Sequence, residues 1–286
     1  MTNQEEVLKT ITFFDFFSQA LSFWELFKFL EIKISPANLQ QILEDLVSES
    51  KIITINGFYC LKNRENLIDF RFRRFNYFQN KLKKAKNFSK IISWWPGVQG
   101  VFLANIIGDH NLKEGSDLDL LIITKNNRIW FSRFFCVLIA KVLNRRPNKR
   151  TKKDKICLSF YIDDMSLNLE SHLYNSDDRY FIYWLANLEP LFFRPGILEH
   201  FYHNNAWLNK YLPNLKINYQ PTSFNVKFNK AIILERVLKD FQLKVMPKKL
   251  KFQSQDRLGV ILEDNIIKLI LDDKRPMFID KFKSSL

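Results

Sequence analysis

The strongest constraint on the fold comes from eight consecutive residues in the middle of the chain, SDLDLLII from Ser116 to Ile123. Five of the eight are Leu or Ile, which is typical of a buried β-strand. Side chains two residues apart on a strand lie on the same face, so Asp117 and Asp119 are expected to project together while the leucines beside them enter the core. The run therefore predicts a core strand with two carboxylates on one face.

Two carboxylates about 6 to 7 Å apart along a strand form an oxygen-rich site. Such a site can hold one or two Mg²⁺ ions, with Mn²⁺ as a substitute, against a triphosphate. Aspartate is depleted in strands, and like charges on one face repel each other unless a cation lies between them. Asp117 and Asp119 are therefore the candidate metal ligands. The alternative is that two acids on the solvent-facing side of a half-buried strand have no function.

The segments around this run predict a mixed sheet. VQGVFLA before it and KICLSFYI after it have the pattern of buried strands, and RIWFSRFFCVLIAKVLNRR between them has that of a helix. Beyond residue 168 the apolar spacing predicts a mainly helical region, with helices over roughly 177–192, 195–211, 224–246 and 256–272.

The N-terminal segment has the element order of a winged helix-turn-helix. Ser22 is the expected N-cap of a second helix, and Ser35 followed by Pro36 is expected to begin a third. Asn56-Gly57 between two β-rich runs then predicts a hairpin. The third helix carries three acids and no Lys or Arg, which disfavours DNA binding and favours a protein partner, although both remain open.

We therefore predict an α+β protein with four parts. These are a winged helix-turn-helix over 1–62, a long basic connecting helix over 63–95, a central mixed β-sheet with helices over 96–168, and a helical C-terminal region over 169–286.

The net charge of +14 lies in two segments. Residues 64–90 carry nine basic and two acidic side chains, and residues 141–155 carry eight and one. A polyanion such as nucleic acid, nucleotide phosphate or an acidic membrane surface is the expected partner of such segments. In the first segment, basic residues alternate with phenylalanines, which can stack on bases. The alternative is that the phenylalanines face a core while the charges are solvated.

Other protein classes are excluded by sequence. The seven glycines form neither a dinucleotide-binding GxGxxG nor a P-loop. The three cysteines are far apart, as expected for reduced core residues. The polar N-terminus and the absence of a long apolar run predict a cytoplasmic protein without a transmembrane segment.

The stretch VFLANIIGDHNLKEGSDLDLLII, from 101 to 123, resembles the polymerase-β-like nucleotidyltransferase superfamily. The signature of that superfamily is a strand, a Gly-Ser turn and a DhD strand, where h is hydrophobic. The winged helix and helical C-terminal region are similar to a bacterial group of the same superfamily. The resemblance implies Mg²⁺-dependent transfer of a nucleoside monophosphate from an NTP to an unknown acceptor, with Asp117 and Asp119 as catalytic metal ligands.

The resemblance also indicates further site residues. Asn105-Ile106 stands where the family has Gly-Ser, so backbone N–H groups of Asn105 or Gly108 are expected to contact the nucleotide, with Ser116 beside the DhD motif. Asp163 at the end of KICLSFYID is the candidate third catalytic carboxylate.

Two residues just past the DhD strand, Lys125 and Arg128, could contact phosphates or be ordinary surface charges. The missing Gly-Ser supports an alternative function, in which a catalytically degenerate protein of this fold binds nucleotide or nucleic acid while the winged helix recruits a partner.

Overall fold

The computed structural model describes residues 2–148, 150–215, 233–254 and 259–284. It shows an α+β protein with a small three-stranded antiparallel sheet near the N-terminus and a six-stranded mixed sheet at the centre. Among the described residues, no helix is both long enough and apolar enough to cross a membrane.

The N-terminal region consists of three helices and three short strands. In chain order these are α1 (Asn3–Asp15), β1 (Leu21–Ser22), α2 (Phe23–Phe29), α3 (Pro36–Ser48), β2 (Ile52–Ile55) and β3 (Phe58–Leu61). The strands pair antiparallel in the order β1-β3-β2.

Local sequence signals explain these elements. Ser22 and Ser35 are N-caps whose side chains accept from the backbone N–H groups three residues on, as expected. Asn56 and Gly57 both have positive φ angles, 53° and 77°, as a two-residue type I′ hairpin turn requires.

The long basic helix predicted after this region is confirmed as α4 (Asn66–Ile92). At 1.5 Å per residue its 27 residues extend about 40 Å. Its buried face carries apolar residues such as Phe78 and Phe88 that pack on the central sheet, but also Arg71, Arg74 and Lys81. Three of the basic residues that the sequence placed in solvent are therefore internal.

The central sheet has strand order β7-β4-β5-β6-β9-β8. In chain order its strands are β4 (Val98–Leu103), β5 (Leu118–Thr124), β6 (Ile156–Asp163), β7 (Glu189–Phe193), β8 (Val260–Leu262) and β9 (Ile266–Leu269). β5 and β6 are parallel and are joined by α5 (Ile129–Val142), whereas the other pairings are antiparallel.

The expected helical C-terminal region is corrected in part. Helices are present at α6 (Arg179–Ala186), α7 (Ile197–Asn204), α8 (Leu208–Tyr211), α9 (Ile233–Val245), α10 (Lys248–Gln253) and α11 (Arg275–Lys283), with a 3₁₀ turn at Glu170–His172. However, β7, β8 and β9 also belong to this region and extend the central sheet at both edges. Residues 224–232 of the helix predicted over 224–246 lie outside the described residues.

The helix predicted over 177–192 is therefore wrong in part, and the helix predicted over 256–272 is wrong for its described residues, 259–272. The first ends at Ala186, and Pro190 then lies in the edge strand β7, where its missing N–H costs least. In the second, β-branched residues on both sides of Asp264-Asn265 form the β8–β9 hairpin.

The central sheet has a core on each face. One face packs against α4 and α5. The other packs against α6, α7 and the N-terminal helices, whose core is continuous with it, since Phe13 and Phe14 contact Tyr183 of α6 at ring-centroid distances of 4.8 and 5.2 Å.

Candidate metal centre

The two aspartates lie at the beginning of β5, as the sequence predicts. Backbone hydrogen bonds fix this end of the strand on both sides, because Ala104 N–H donates to Asp119 O (2.8 Å) and Leu118 N–H donates to Lys155 O (2.8 Å). The Asn105 side chain adds a third bond, from Nδ2 to Asp117 O (2.7 Å). The carboxylates are therefore carried on a fixed backbone.

Cys157 on the neighbouring strand completes a cluster of three donor groups. β6 runs parallel to β5, and Cys157 is the register partner of Asp119. The carboxylate oxygens of Asp117 and Asp119 and the Cys157 Sγ all lie within 4.8 Å of one another, and all three residues are partly buried. Two carboxylates and one thiol thus lie together at the end of the sheet where β5 and β6 begin.

The electrostatics of the cluster disfavour negative charge. Burial, followed by repulsion from Asp117, raises the pKa of Asp119 to about 6, although a hydrogen bond with Cys157 opposes the shift. Burial and the neighbouring Asp119 also raise the pKa of the Cys157 thiol well above its usual range. A cation bound between the three groups would relieve both costs.

A buried amide oxygen beside the cluster lacks a hydrogen-bond partner among the described residues. Asn105 Oδ1 is buried and has no hydrogen-bond partner among the described residues, although Nδ2 of the same amide is bonded to Asp117 O. Buried acceptors are normally satisfied, so this oxygen indicates a missing donor or cation. The donor set fits a divalent cation, because carboxylate, thiolate and amide-oxygen groups can all bind divalent cations.

Side-chain contacts from the N-terminal region and α4 hold the loop between β4 and β5. Gly108 has a φ of 82° and lies against Gln19, whose Nε2 donates to Asp109 O (3.1 Å). Asp109 N–H donates to Glu25 Oε1 (3.0 Å), and Arg71 forms a buried ion pair with the same Glu25 carboxylate (2.8 Å). Side chains of the N-terminal region and of α4 thus hold the turn at Gly108 and Asp109.

Arg74 of α4 fixes the same loop from a second side. Its guanidinium donates to the carbonyl oxygens of Phe17 and Ser18 and to Asn111 Oδ1. Burial lowers its pKa, and the nearby Arg71 lowers it further. The backbone that precedes Asp117 is consequently held by the loop between α1 and β1, by α2 and by α4.

Ser116 lies beside the cluster, and its hydroxyl and its carbonyl have different partners. Its hydroxyl donates to Lys113 O (2.9 Å), and its carbonyl accepts from the buried Lys81 Nζ (2.7 Å). Lys81 also pairs with Asp154 (2.8 Å), which precedes β6. Lys81 therefore joins α4 to the starts of both site strands.

Three of the sequence-predicted site residues lie at the other end of the sheet. Asp163 is the register partner of Thr124, five residues along β5 from Asp119 and thus about 16 Å away. Lys125 and Arg128 follow Thr124 at that same end. The structure does not bring Asp163, Lys125 or Arg128 together with the aspartate pair, whereas Asn105 and Ser116 adjoin it and Gly108 lies in its loop.

Cys157 is the site residue that sequence reasoning missed, since the cysteines were interpreted as core residues. A signal was present, because a parallel alignment of the two predicted strands by their first apolar residues puts Cys157 opposite Asp119. In the sequence, Lys81 is one of a run of basic residues expected at the surface. Its position on the buried face of α4 follows from the spacing to Phe78 and Ala85.

Comparison of the chain with protein-family models, with curated proteins and with solved structures finds no match in any of the three. The geometry of the site is therefore the basis for a function.

Proposed function

We propose that the protein is a metal-dependent nucleotidyltransferase that transfers a nucleoside monophosphate from an NTP to an acceptor. The observation that carries the proposal is the cluster at the start of β5 and β6, where Asp117 and Asp119 share one face and a third donor stands beside them. The fixed backbone, the buried Asn105 Oδ1 and the relief of like-charge repulsion support a divalent cation there.

In the proposed reaction the acceptor oxygen attacks the α-phosphorus of the NTP. A new P–O bond forms while the bond to the β-phosphate bridging oxygen breaks, pyrophosphate leaves with the bonding electron pair, and the acceptor proton passes to water. A bound divalent cation, Mg²⁺ or Mn²⁺, supplies neutralisation of the charge on the phosphate oxygens.

The protein residues bind and position. Asp117 and Asp119 hold the cation on a strand whose backbone is fixed on both sides, so little reorganisation is needed when the nucleotide binds. Backbone N–H groups of Asn105 and Gly108 in the β4–β5 loop are the proposed nucleotide contacts, and Glu25 and Arg74 hold the conformation of this loop. Asp163 has no role in this arrangement because of its distance from the pair.

The second candidate is a catalytically degenerate protein that binds nucleotide without transferring it. A specific observation favours it, since Cys157 occupies the position beside Asp119 where a third carboxylate would stand. The N-terminal region, which we interpret as a winged helix, would then recruit a partner through the acidic α3.

The basic segments remain proposed contacts for nucleic acid. In 64–90, Arg71, Arg74 and Lys81 are buried in internal contacts. The exposed basic residues of this segment are Arg73, Lys83, Lys84, Lys86 and Lys90, of which Lys84 is paired with Asp154. In 141–155, Lys141, Arg145, Arg150 and Lys152 are exposed. Binding through these residues is expected to weaken steeply with added salt.

The test is transfer of label from each α-³²P-labelled NTP, with Mg²⁺ or Mn²⁺, to pooled RNA, protein and small-molecule acceptors. The matched pair is Asp117→Asn and Asp69→Asn, because Asp69 is an exposed aspartate on α4 away from the cluster. Transfer that is lost only in Asp117→Asn supports the enzyme. Metal-dependent NTP binding with no transfer to any acceptor favours the degenerate protein.

A further inference from the structure

The position of Cys157 is set by an irregularity in β6. Asp119 pairs with Cys157, but two residues further along β5 Leu121 pairs with Phe160, so β6 contains one extra residue in between. Cys157 therefore shares the face of Asp119 while Phe160 returns to the aromatic core on the same face, where it stacks on Trp184. The bulge thus lets β6 place a potential metal ligand, Cys157, and a core residue, Phe160, on the same face of the sheet.

We infer that Cys157 Sγ is the third metal ligand and that the centre consequently prefers a thiophilic divalent cation, such as Zn²⁺ or Co²⁺, to Mg²⁺. This inference rests on the proposed metal-dependent function and names the cation that the site selects. On binding, the thiol proton passes to solvent, a sulfur–metal bond forms, and no group is oxidised or reduced.

The donor chemistry is the reason for the preference. Mg²⁺ demands six hard ligands, mostly oxygens, in near-octahedral geometry and loses its water reluctantly, so a thiolate in its coordination shell is unfavourable. Thiolate ligands select Zn²⁺ and other softer ions, and Zn²⁺ accepts carboxylate and thiolate ligands together. Two carboxylates and one thiolate thus suit Zn²⁺ better than Mg²⁺.

The spacing of the donors is also compatible with a four-coordinate ion. Zn–S and Zn–O bonds of about 2.3 and 2.0–2.2 Å place tetrahedral ligands about 3.5 Å apart. The three donor atoms already lie within 4.8 Å of one another, so rotations that move each by about 1 Å suffice. Three protein ligands leave one coordination position open to a phosphate oxygen or water.

The other two thiols provide controls because they lie elsewhere. Cys60 is buried in the N-terminal region among Ala20, Leu67 and Ile68. Cys136 on α5 is buried against the opposite face of the sheet. Neither belongs to a group of potential metal ligands among the described residues.

The experiment is a titration of the full-length protein with Co²⁺, followed by the near-ultraviolet absorption of cobalt–thiolate charge transfer and by calorimetry. The variants are Cys157→Ser, Cys157→Asp and the control Cys60→Ala, each checked for native circular dichroism. We expect the band in the wild type and in Cys60→Ala, and its loss in Cys157→Ser together with at least about tenfold weaker Co²⁺ binding. Cys157→Asp should shift the ratio of Zn²⁺ to Mg²⁺ affinity toward Mg²⁺ by at least about tenfold.

The outcomes separate this inference from the proposed function. Co²⁺ binding that is weakened by Asp117→Asn but gives no thiolate band, or a band that survives in Cys157→Ser, overturns the role of Cys157 and leaves the metal-dependent function standing. A wild-type protein that binds no divalent cation, with or without ATP, overturns both.

Discussion

Replacement of Lys81 by Met is expected to destabilise the protein far more than the same replacement of Lys84. Both ammonium groups bind the carboxylate of Asp154, Lys81 at Oδ1 (2.8 Å) and Lys84 at Oδ2 (2.6 Å). However, the Lys81 side chain is 3% exposed and the Lys84 side chain 42%. The two variants therefore compare a buried and an exposed contact to one acceptor.

The magnitude follows from the contacts that are lost. Lys81 Nζ donates to Asp154 and to Ser116 O, and a hydrogen bond from a charged group contributes about 1.5–3 kcal/mol. The loss of one partner from a buried ion pair costs about 3–5 kcal/mol, but Asp154 is 19% exposed and keeps Lys84. We therefore expect Lys81→Met to lower the free energy of unfolding by about 3 kcal/mol, and Lys84→Met by less than about 1 kcal/mol.

The assay is urea unfolding at pH 7, with Asp154→Asn to complete a double-mutant cycle for each lysine. Burial alone would raise the pKa of Asp154, but hydrogen bonds from Lys81 and Lys84 lower it below its ordinary value of 3.8. The stabilisation is therefore present above about pH 4 and is lost as the pH falls through the lowered pKa. Equal destabilisation by the two lysine variants, or a Lys81 coupling energy that disappears in 0.5 M salt, would refute the reasoning.

Three further predictions follow from other parts of the molecule. Burial raises the pKa of Asp164 to about 6, so the folded state retains its proton where the unfolded state does not. The contribution of Asp164 to the free energy of unfolding should therefore fall by about 3 kcal/mol as the pH rises from 3 to 7. In urea unfolding, Asp164→Asn should remove that component of the pH dependence, and an unchanged pH dependence would contradict the prediction. The Glu235 carboxylate accepts hydrogen bonds from the backbone N–H groups of Trp130 and Phe131 at the start of α5. Glu235→Ala should therefore lower the free energy of unfolding by about 1–2 kcal/mol in thermal unfolding. A change near zero would exclude this capping role. Asp163→Asn should leave the affinity for Mn²⁺ and nucleotide within about twofold of wild type in calorimetry, and a tenfold loss would place Asp163 in the site after all.

Local signals in the sequence were sufficient for much of the fold. Ser22 and Ser35 cap helices because a side-chain oxygen three residues before an N–H group suffices to satisfy it. Asn56-Gly57 forms its turn because both residues accept positive φ. The Asp117–Leu118–Asp119 alternation likewise predicted which side chains share a face, because that depends on strand geometry alone.

The remaining features depend on long-range pairing. The position of Cys157 beside Asp119 requires the parallel alignment of β5 with β6 and the bulge after Cys157. The β8–β9 hairpin differs from the predicted helix because a short apolar run has no unambiguous period. Its strands form by long-range pairing, in which β9 pairs with β6 and β8 pairs with β9. Arg71 and Arg74 were assigned to solvent because their partners, Glu25 and Asn111, are distant in sequence.

The most direct test of the central claim is calorimetric measurement of ATP binding with and without Mn²⁺, in the wild type and in the double variant Asp117→Asn/Asp119→Asn. Because the two carboxylates are proposed to hold the cation against the triphosphate, wild-type binding should tighten at least about tenfold with Mn²⁺, and the double variant should lose that enhancement while it keeps its folded circular dichroism. Nucleotide binding that is independent of the metal, or enhancement that persists in the double variant, would contradict the claim.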